Sequence, residues 1–362
     1  MSVYSYKDIY NESLNVTDCC NKSKQPVLVK TSSDWSLSDY LGSFKCRVSN
    51  SFRMKYGVEP ALYLLGVPDD ESDVFVSANY KLSFDILRKA LEGLSVWILV
   101  IDTKGINVWC AAAKGTFGAK ELSMRMNEVG LADIVNHRRI IVPQLGAAGI
   151  SAGAVFKHTG FKVCFGPVYA KDIKGYLSAG RKKTHEMRRI NFSMTDRLIL
   201  TPIEIIPLIK KFLVFTVIIL LFFGLRPSGI LFENAWLLGK PFLLLGLGSI
   251  IGGAFITPIL LPFIPFRSFA LKGWMIGILL TLTTIFSFNI QEQKNILIFM
   301  AEIIFFPMAS SYLALQFTGS TTFTNISGVK KELKIALPVY FVSALISIVL
   351  MLIYKIGILG VL

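Results

Sequence analysis

The chain has 362 residues, a hydrophobic content of 53%, a formal net charge of +14 and a mean hydropathy of +0.56. This hydropathy excludes a wholly soluble protein, and the length is sufficient for two domains. The charge does not indicate a nucleic-acid-binding protein, because many basic residues flank apolar segments, as in Arg181-Lys182-Lys183, Arg188-Arg189 and Lys210-Lys211. That placement is typical of residues that orient a protein in a membrane.

Residues 1–55 are polar and weakly patterned, and we interpret them as an N-terminal arm. Met1 to Thr17 contains no apolar run, so no cleavable signal peptide is expected. The arm holds the vicinal pair Cys19-Cys20, which suits the transfer of a soft metal ion. A segment without a chemical role is the alternative.

The five cysteines of the chain include no Cys-x-x-Cys pair, so the sequence predicts neither an iron–sulfur cluster nor a zinc site. An odd number of cysteines without a regular framework fits a reducing compartment.

Residues 56–200 alternate between short apolar runs and amphipathic segments, which predicts an α/β domain with a mainly parallel sheet. The expected strands are Ala61–Val67, Asp73–Ser77, Ser95–Asp102, Arg139–Val142 and Phe161–Phe165. The expected helices are Leu82–Leu94, Trp109–Lys114, Lys120–Val129, Ala147–His158 and Ala170–Ala179. In such sheets ligands bind beyond the carboxyl ends of the strands.

The stretch 102–118 follows the buried strand Ser95–Asp102 and is the most informative part of the sequence. Lys104-Gly105 turns the chain, Asn107 is suited to cap the next helix, and Cys110 lies in its first turn. Backbone N–H groups and the helix dipole favour a thiolate there. Three alanines after the cysteine leave a bare surface on which a flat ligand can lie, although an ordinary buried cysteine in a small-residue helix gives the same pattern.

The segment Asn107–Gly118 resembles the cap-helix motif of the HgcA family, the membrane corrinoid proteins of microbial mercury methylation. Its wider relatives are the corrinoid iron–sulfur proteins of the acetyl-CoA pathway. The resemblance extends to Ser77–Asp85, Pro143–Ala147, Gly160–Val168, Gly319–Phe323 and Ser327–Glu332. One position departs from the family pattern, which has Gly where this chain has Ala113.

The resemblance implies a corrinoid cofactor of the methylcobalamin type, with Cys110 as the lower axial ligand of cobalt. The residues it implies in cofactor binding are Asn107, Val108, Trp109, Cys110, Ala111, Ala112, Ala113, Lys114, Gly115 and Thr116. Within this set we expect Asn107 to orient the helix, Trp109 to pack behind it, and the three alanines to keep its surface flat. Lys114, Gly115 and Thr116 are expected at polar groups of the cofactor, with simple helix packing as the alternative for each. None of His137, His158 and His185 lies in the Asp-x-His-x-x-Gly pattern of His-ligated corrinoid proteins.

The same resemblance implies a methyltransferase that moves a methyl group to inorganic Hg(II) and forms methylmercury, by a carbanion or a radical route. It implies a ferredoxin-like iron–sulfur partner similar to HgcB and a methyltetrahydrofolate-linked methyl donor. Two alternatives stay open. One is a membrane-anchored methyl carrier for another acceptor, and the other is a cofactor-free membrane transporter or scaffold.

Residues 201–362 predict a helical transmembrane domain with five spans, at about 207–225, 241–262, 269–290, 295–317 and 334–356. Lys and Arg at the span ends favour a cytoplasmic N-terminal domain at the inner membrane, with the Gly319–Glu332 loop on the same side and Leu362 outside. The glycine-rich stretch Gly246–Gly253 lacks the third glycine of a dinucleotide fingerprint, so we expect close helix packing through Gly248 and Gly252. Glu302 is the clearest acidic residue within a span, but no transported ion is indicated.

Overall fold

The computed structural model describes residues 3–4, 28–288 and 295–359. The chain divides into two compact units, Met1–Ile190 and Asn191–Leu362. The predicted division into an arm, a domain from 56 to 200 and a membrane domain from 201 stays a prediction. Within the predicted arm, residues 28–53 form a strand and two helices, whereas Cys19 and Cys20 lie outside the described residues.

The first unit contains a seven-stranded sheet with the order β1-β2-β3-β5-β4-β6-β7. Strands β4, β5, β6 and β7 run parallel to one another, whereas β3 pairs with β5 in the antiparallel direction and β1 pairs with β2 in the same way. The sheet is therefore mainly parallel, as predicted. Its strands are β1 Val3–Tyr4, β2 Leu28–Thr31, β3 Leu62–Leu65, β4 Val74–Ala78, β5 Val96–Ile101, β6 Arg139–Val142 and β7 Lys162–Phe165.

Eight α-helices connect these strands: α1 Leu37–Val48, α2 Asn50–Arg53, α3 Lys81–Ala90, α4 Val108–Lys114, α5 Ala119–Glu128, α6 Leu131–Ile134, α7 Ala152–Thr159 and α8 Ile173–Ser178, counted over the described part of the unit. The helix predicted over Ala147–His158 begins later, at Ala152, because Ser151 caps it by accepting a hydrogen bond from the Ala154 N–H group. The chain before it forms a short 3₁₀ turn, Gln144–Gly146.

Both faces of the sheet are covered, as expected for a parallel sheet. All six residues of β5 are buried, and they alternate between two apolar cores. Trp97, Leu99 and Ile101 share one core with residues of α4, α5 and α7, whereas Val96, Ile98 and Val100 share the other with α3 and α8. The domain is thus a three-layer α/β structure, and α4 lies directly on the sheet.

Within residues 191–288 and 295–359, the second unit contains five helical segments that are long and apolar enough to cross a membrane: Met194–Gly224, Phe232–Ile259, Phe269–Ser287, Ile296–Gly319 and Ser327–Ile358. The prediction of five membrane helices is confirmed. We name the main helices α9 Met194–Gly224, α10 Phe232–Ile250, α11 Thr257–Ile259, α12 Phe269–Ser287, α13 Ile296–Gln316 and α14 Ile326–Leu359. A π-helical segment, Ile251–Ile256, joins α10 to α11, and a two-stranded ribbon, Leu225–Arg226 with Gly229–Ile230, follows α9.

The glycine-rich stretch is a packing surface. A Cβ atom on Gly253 would lie 2.3 Å from the Ser310 carbonyl oxygen, and one on Gly252 would lie 2.9 Å from the Leu280 side chain. Close packing through Gly252 is therefore confirmed, whereas the nearest neighbour of Gly248 is at an ordinary 3.9 Å. Small residues at helix contacts of this kind are typical of membrane bundles.

Candidate functional site

The loop between β5 and α4 is held by the side chain of Asn79, the residue that follows β4. Asn79 Oδ1 accepts hydrogen bonds from the Thr103 N–H (3.0 Å), the Thr103 hydroxyl (2.8 Å) and the Gly105 N–H (3.0 Å). Its Nδ2 donates to Asp102 Oδ1 at 3.1 Å. Because β4 and β5 are parallel neighbours, their carboxyl ends meet, and one amide side chain fixes the turn that starts α4.

The turn uses left-handed backbone conformations at Lys104 (φ 59°) and Gly105 (φ 70°). A non-glycine residue rarely adopts such a conformation, so Lys104 is held there by its surroundings. Its N–H donates to Asp102 Oδ1 at 2.8 Å, which supplies part of that restraint. The turn therefore defines where α4 begins.

Helix α4 begins at the predicted Asn107 cap and ends at a glycine. The Asn107 side chain accepts a hydrogen bond from the Cys110 N–H at 2.9 Å, and Gly115 ends the helix with φ 79°. The N-cap bond goes to the backbone of the cysteine, so it fixes the third helical position directly. Asn107 thus orients the residue on which the predicted chemistry depends.

The buried side of α4 consists of Val108, Ala111 and Ala112, which pack into the core. A Cβ atom on Gly149 would lie 3.0 Å from Ala112 Cα, and one on Gly146 would lie 2.5 Å from the Phe117 ring. The turn around residues 144–149 therefore approaches the helix at backbone distance. Ala111 and Ala112 are small because the fold packs against them, which is the packing alternative stated above.

The outer side of α4 carries Trp109, Cys110, Ala113 and Lys114. Cys110 is half-buried, and Ala113 and Lys114 are exposed. Trp109 is 38% exposed, whereas the core side of the helix is occupied by Val108 and the two buried alanines. The expectation that Trp109 packs behind the helix stays a prediction. Only one of the three alanines, Ala113, reaches the surface beside Cys110. Gly115 is exposed and Thr116 is half-buried at the carboxyl end of the helix.

A mostly apolar cavity of about 360 Å³ opens beside the start of α4. Asn107, Val108 and Trp109 form one wall, and Ser83, Ile86 and Leu87 of α3 form another. The carboxyl ends of three parallel strands also contribute, with Ser77 in β4, Pro143 and Leu145 after β6, and Gly166, Pro167 and Tyr169 after β7. Cys110 itself lies one residue beyond Trp109, outside this lining. The cavity occupies the edge at which ligands bind in parallel sheets.

The sequence interpretation missed the cavity wall and the role of Asn79. Both had a readable signal, because Asn79, Pro143 and Gly166 each directly follow a buried strand whose carboxyl end lies at the binding edge. Gln144, also at this edge, accepts a hydrogen bond of 2.5 Å from Lys183 Nζ. Burial, together with the positive charge of Arg188, lowers the pKa of Lys183.

The other titratable candidates lie elsewhere. His137 precedes β6 and contacts the Ser72 carbonyl oxygen at 2.9 Å, and His158 precedes β7, so both lie near the amino ends of parallel strands. His185 is exposed after α8. Cys46 is buried in α1, and burial raises the pKa of its thiol. Across residues 28–288 and 295–359, no group of three His, Cys, Asp or Glu side chains is placed to hold a metal ion.

Residues 20–177 match the family described as CO dehydrogenase/acetyl-CoA synthase delta subunit. The matched range contains strands β2 to β7 and helix α4. The chain is 30% identical over 168 residues to the acetyl-CoA decarbonylase/synthase complex subunit gamma of Methanopyrus kandleri, which covers 46% of this chain and 36% of that protein. It is 34% identical over 122 residues to the same subunit of Archaeoglobus fulgidus, covering 33% of this chain and 26% of that protein.

A third relative carries the cofactor class in its name. The corrinoid/iron-sulfur protein large subunit of Moorella thermoacetica is 28% identical over 171 residues, which covers 47% of this chain and 38% of that protein. The chain thus spans about a third of the length of these relatives. These matches confirm the resemblance to the corrinoid-protein family, and the family match over residues 20–177 falls in the unit that contains α4 and its cavity.

Proposed function

We propose that this chain is a membrane-anchored corrinoid protein that carries a methyl group on cobalt and transfers it to inorganic Hg(II), forming methylmercury. The single observation that carries the proposal is the placement of Cys110. It is half-exposed on α4, its backbone is fixed by Asn107, and α4 borders an apolar cavity at the carboxyl edge of four parallel strands.

The residues at this edge fit a corrinoid. The outer side of α4 presents a sulfur atom next to an alanine, so a flat ring has room there, and the apolar cavity suits an uncharged part of the cofactor. Lys114 is exposed at the end of the helix, where its charge suits a phosphate group. The residues that would hold the cofactor are therefore Cys110, Ala113 and Lys114, with Trp109 at the boundary between the helix surface and the cavity.

When bound, the corrinoid supplies a cobalt-bound methyl group that can leave toward an electrophile. Cys110 would provide a thiolate ligand to the cobalt. A thiolate is a strong electron donor, which favours departure of the methyl group with its electron pair toward a soft acceptor such as Hg(II). The position of His137 and His158 near the opposite edge of the sheet supports a cysteine rather than a histidine in this role.

The partners follow from the electron balance. A methyl group that leaves with its electron pair must be replaced. The cobalt would have to be reduced before it could accept the next methyl group. The five cysteines of the chain form no cluster motif, so we propose a ferredoxin-like iron–sulfur partner similar to HgcB as electron donor. A methyltetrahydrofolate-linked protein would supply the methyl group. We place the soluble unit on the cytoplasmic side of the inner membrane.

The test compares Cys110→Ala with Cys164→Ala in the full chain. Cys164 is also half-buried in the α/β domain, in β7, and is the matched control. We expect Cys110→Ala to lose the cobalt–thiolate absorption and at least nine-tenths of methylmercury formation, and Cys164→Ala to keep both. Wild-type absorption in Cys110→Ala would exclude it as the ligand, and purified protein without cobalt would favour the cofactor-free transporter or scaffold.

A second function is favoured by Ala113. Its methyl group is exposed beside Cys110, where the family pattern has Gly, so it stands on the surface that a ring would contact. This supports a corrinoid methyl carrier for an acceptor other than mercury. Protein that binds cobalt and accepts a methyl group but forms no methylmercury from Hg(II) would select this alternative.

A further inference from the structure

The membrane unit contains an open groove that neither the corrinoid fold nor the proposed methyl transfer requires. Its volume is about 850 Å³, and it lies where α12 and α14 begin. We call it the interfacial groove and define it by the residues that the argument uses, which are Arg267, Leu271, Trp274, Lys331, Ile335 and Val339.

The mouth of the interfacial groove is basic. Arg267 lies two residues before the start of α12, Lys331 lies in the second turn of α14, and both are exposed. The one carboxylate in the described lining, Glu332, is already bound: its Oε2 accepts hydrogen bonds from the Ser268 hydroxyl (3.0 Å) and the Ala270 N–H (3.2 Å) at the start of α12. The carboxylate is stabilised by the N-terminus of α12. Its hydrogen bonds are therefore made to α12, and the charges of Arg267 and Lys331 remain at the mouth of the groove.

An exposed apolar track runs from this mouth along the membrane spans. Ile335 and Val339 follow Lys331 at intervals of four residues, so they lie on the same face of α14, and the track extends about 12 Å over eight residues. They are 64% and 44% exposed. On the facing helix, Leu271 and Trp274 are 48% and 38% exposed. Tryptophan at this level is typical of the boundary between lipid headgroups and hydrocarbon.

Two of the polar side chains that line the groove already have partners within the protein. The Ser311 hydroxyl donates to the Ala270 carbonyl oxygen at 2.6 Å and lies 2.8 Å from the Tyr340 hydroxyl, so these groups satisfy one another. A ligand that fills the groove therefore meets charge at the mouth and hydrocarbon beyond it.

A further cation lies at one wall. The Arg197 guanidinium is 5.9 Å from the ring of Phe323, which lines the groove. Arg197 is buried, and within the described part of the chain its Nε and Nη1 atoms have no hydrogen-bond acceptor. Burial of these two nitrogen atoms without an acceptor among the described residues is costly, which points to an anion near this end of the bundle.

We propose that the interfacial groove binds one anionic phospholipid, with the phosphate between Arg267 and Lys331 and an acyl chain along Ile335 and Val339. The order of charge and hydrocarbon in the groove matches the order within a phospholipid. A free phosphate would leave the apolar track uncovered, and a zwitterionic headgroup would place an ammonium group next to two cations. The proposal is independent of the corrinoid function, because all of its residues belong to the membrane unit.

Native mass spectrometry of the full chain in detergent tests this directly. The protein is titrated with phosphatidylglycerol and with phosphatidylethanolamine of the same acyl chains. We expect the first bound phosphatidylglycerol to show at least a fivefold preference over phosphatidylethanolamine. In the double variant Arg267→Gln/Lys331→Gln that preference should fall below twofold.

The matched control is Lys210→Gln/Lys211→Gln, which removes the same charge from an exposed pair on α9 and should keep the preference. Trp274→Ala should weaken binding of both lipids about threefold without changing their ratio. Excess glycerol 3-phosphate should not displace the bound lipid. Equal binding of the two lipids, equal loss in both charge variants, or displacement by glycerol 3-phosphate would each overturn the proposal.

Discussion

Ala113 is the residue at which this chain departs from the cap-helix motif that it resembles, and its position on α4 makes the departure physically relevant. It lies three residues after Cys110 on the outer side of the helix, with its methyl group exposed. Glycine there would let a ring approach the backbone, whereas a methyl group in a tight contact typically costs about 1–3 kcal/mol. Alanine favours the helix by about 1 kcal/mol relative to glycine, so the two effects oppose each other.

We predict that Ala113→Gly strengthens the cobalt–sulfur bond or speeds methyl transfer. The substitution removes the methyl group beside Cys110, so a ring can lie closer to the helix backbone. The measurement is the cobalt–thiolate absorption and the methylation rate of both proteins side by side. Ala112→Gly is the matched control, since it has the same cost in helix propensity but lies on the buried side against Gly149. Unchanged absorption and rate in Ala113→Gly would show that Ala113 does not touch the ring.

A second residue-scale prediction concerns Asn79. Asn79→Ala removes the acceptor of three hydrogen bonds in the turn before α4, and the Thr103 side chain there is fully buried. An unpaired buried donor typically costs about 1–3 kcal/mol. The free energy of unfolding of Asn79→Ala should therefore be lower than that of wild type by at least about 1–3 kcal/mol. Amide hydrogen exchange over residues 102–107 should become faster.

Asn127→Ala, an exposed position on α5, is the control for the Asn79 experiment and should change neither quantity. The same exchange rate over residues 102–107 in wild type and Asn79→Ala would contradict a positioning role for Asn79.

The residues of α4 also show what a sequence alone can and cannot specify. The strand before it, the Asn107 cap and the Gly115 stop were readable, because each depends on neighbouring residues. The face presented by Trp109 was not readable, since the helix has seven residues and two short turns of small side chains give no clear periodicity. Which side packs inward is decided by Gly146 and Gly149, which are distant in sequence.

At the scale of elements, α1 is the longest helix of the α/β unit that sequence patterning failed to predict. Its buried face is polar and small, with Asp39, Gly42, Ser43 and Cys46 at helical spacing. Its exposed face carries the large apolar residues Leu37, Tyr40, Leu41 and Phe44. Hydrophobic periodicity predicts the opposite orientation, so the segment was interpreted as an arm. The order of this helix rests on charge pairing and not on apolar burial.

That pairing joins α1 to α3. Lys81 Nζ lies 2.7 Å from Asp39 and 2.6 Å from Asp85, and the Arg88 guanidinium lies 2.8 Å from each of the same two carboxylates. Arg88 also donates to the carbonyl oxygens of Ser32 and Asp34. Removing one partner from a buried pair of this kind typically costs about 3–5 kcal/mol.

We predict an acid-sensitive contact between α1 and α3. Burial raises the pKa of Asp39, but hydrogen bonds from Lys81, Ser36 and Arg88 outweigh it and hold the pKa well below its ordinary value of 3.8. A carboxylate with a lowered pKa in the folded state stabilises the fold above the ordinary value, and this contribution is lost as the pH falls below it. Wild type should therefore lose more thermal stability between pH 6 and pH 3 than Asp39→Asn.

The control for the acid experiment is Asp133→Asn, which alters an exposed carboxylate on α6 and should keep the wild-type pH dependence. Parallel curves for wild type and Asp39→Asn would mean that this carboxylate contributes nothing to the acid response.

For the whole molecule, the five spans were predictable because apolar length alone signals a membrane helix. Their ends were not, since α9 begins at Met194, well before the apolar run that starts near residue 207. A capping box, in which Ser193 and Asp196 each accept a backbone hydrogen bond, starts the helix within polar sequence. Local hydrogen bonding rather than hydropathy decides such boundaries.

Two lysines at the ends of spans, Lys272 and Lys355, are bound inside the helix bundle and so say little about membrane orientation. Lys272 is buried and donates to the Leu261 carbonyl oxygen. Lys355 is buried and donates to the carbonyl oxygens of Phe222 and Leu225, at the end of α9. Both bind carbonyl groups where a helix or turn ends, so their charges serve packing within the bundle. They carry little weight in deciding which side of the membrane a loop occupies.

The last prediction is the topology that remains without these two lysines. Lys210, Lys211, Arg267, Lys330, Lys331 and Lys334 fall on the side of the soluble unit, against Arg226, Lys240 and Lys294 on the other. The excess still favours a cytoplasmic soluble unit. Reporter fusions after residue 325 and after the last residue should therefore give opposite signals, cytoplasmic for the first and external for the second. Substituting Lys272 should leave both signals unchanged, because its charge is bound within the bundle. Matching signals at the two fusion sites would refute the arrangement of five spans, and reversed signals would place the soluble unit outside the cytoplasm.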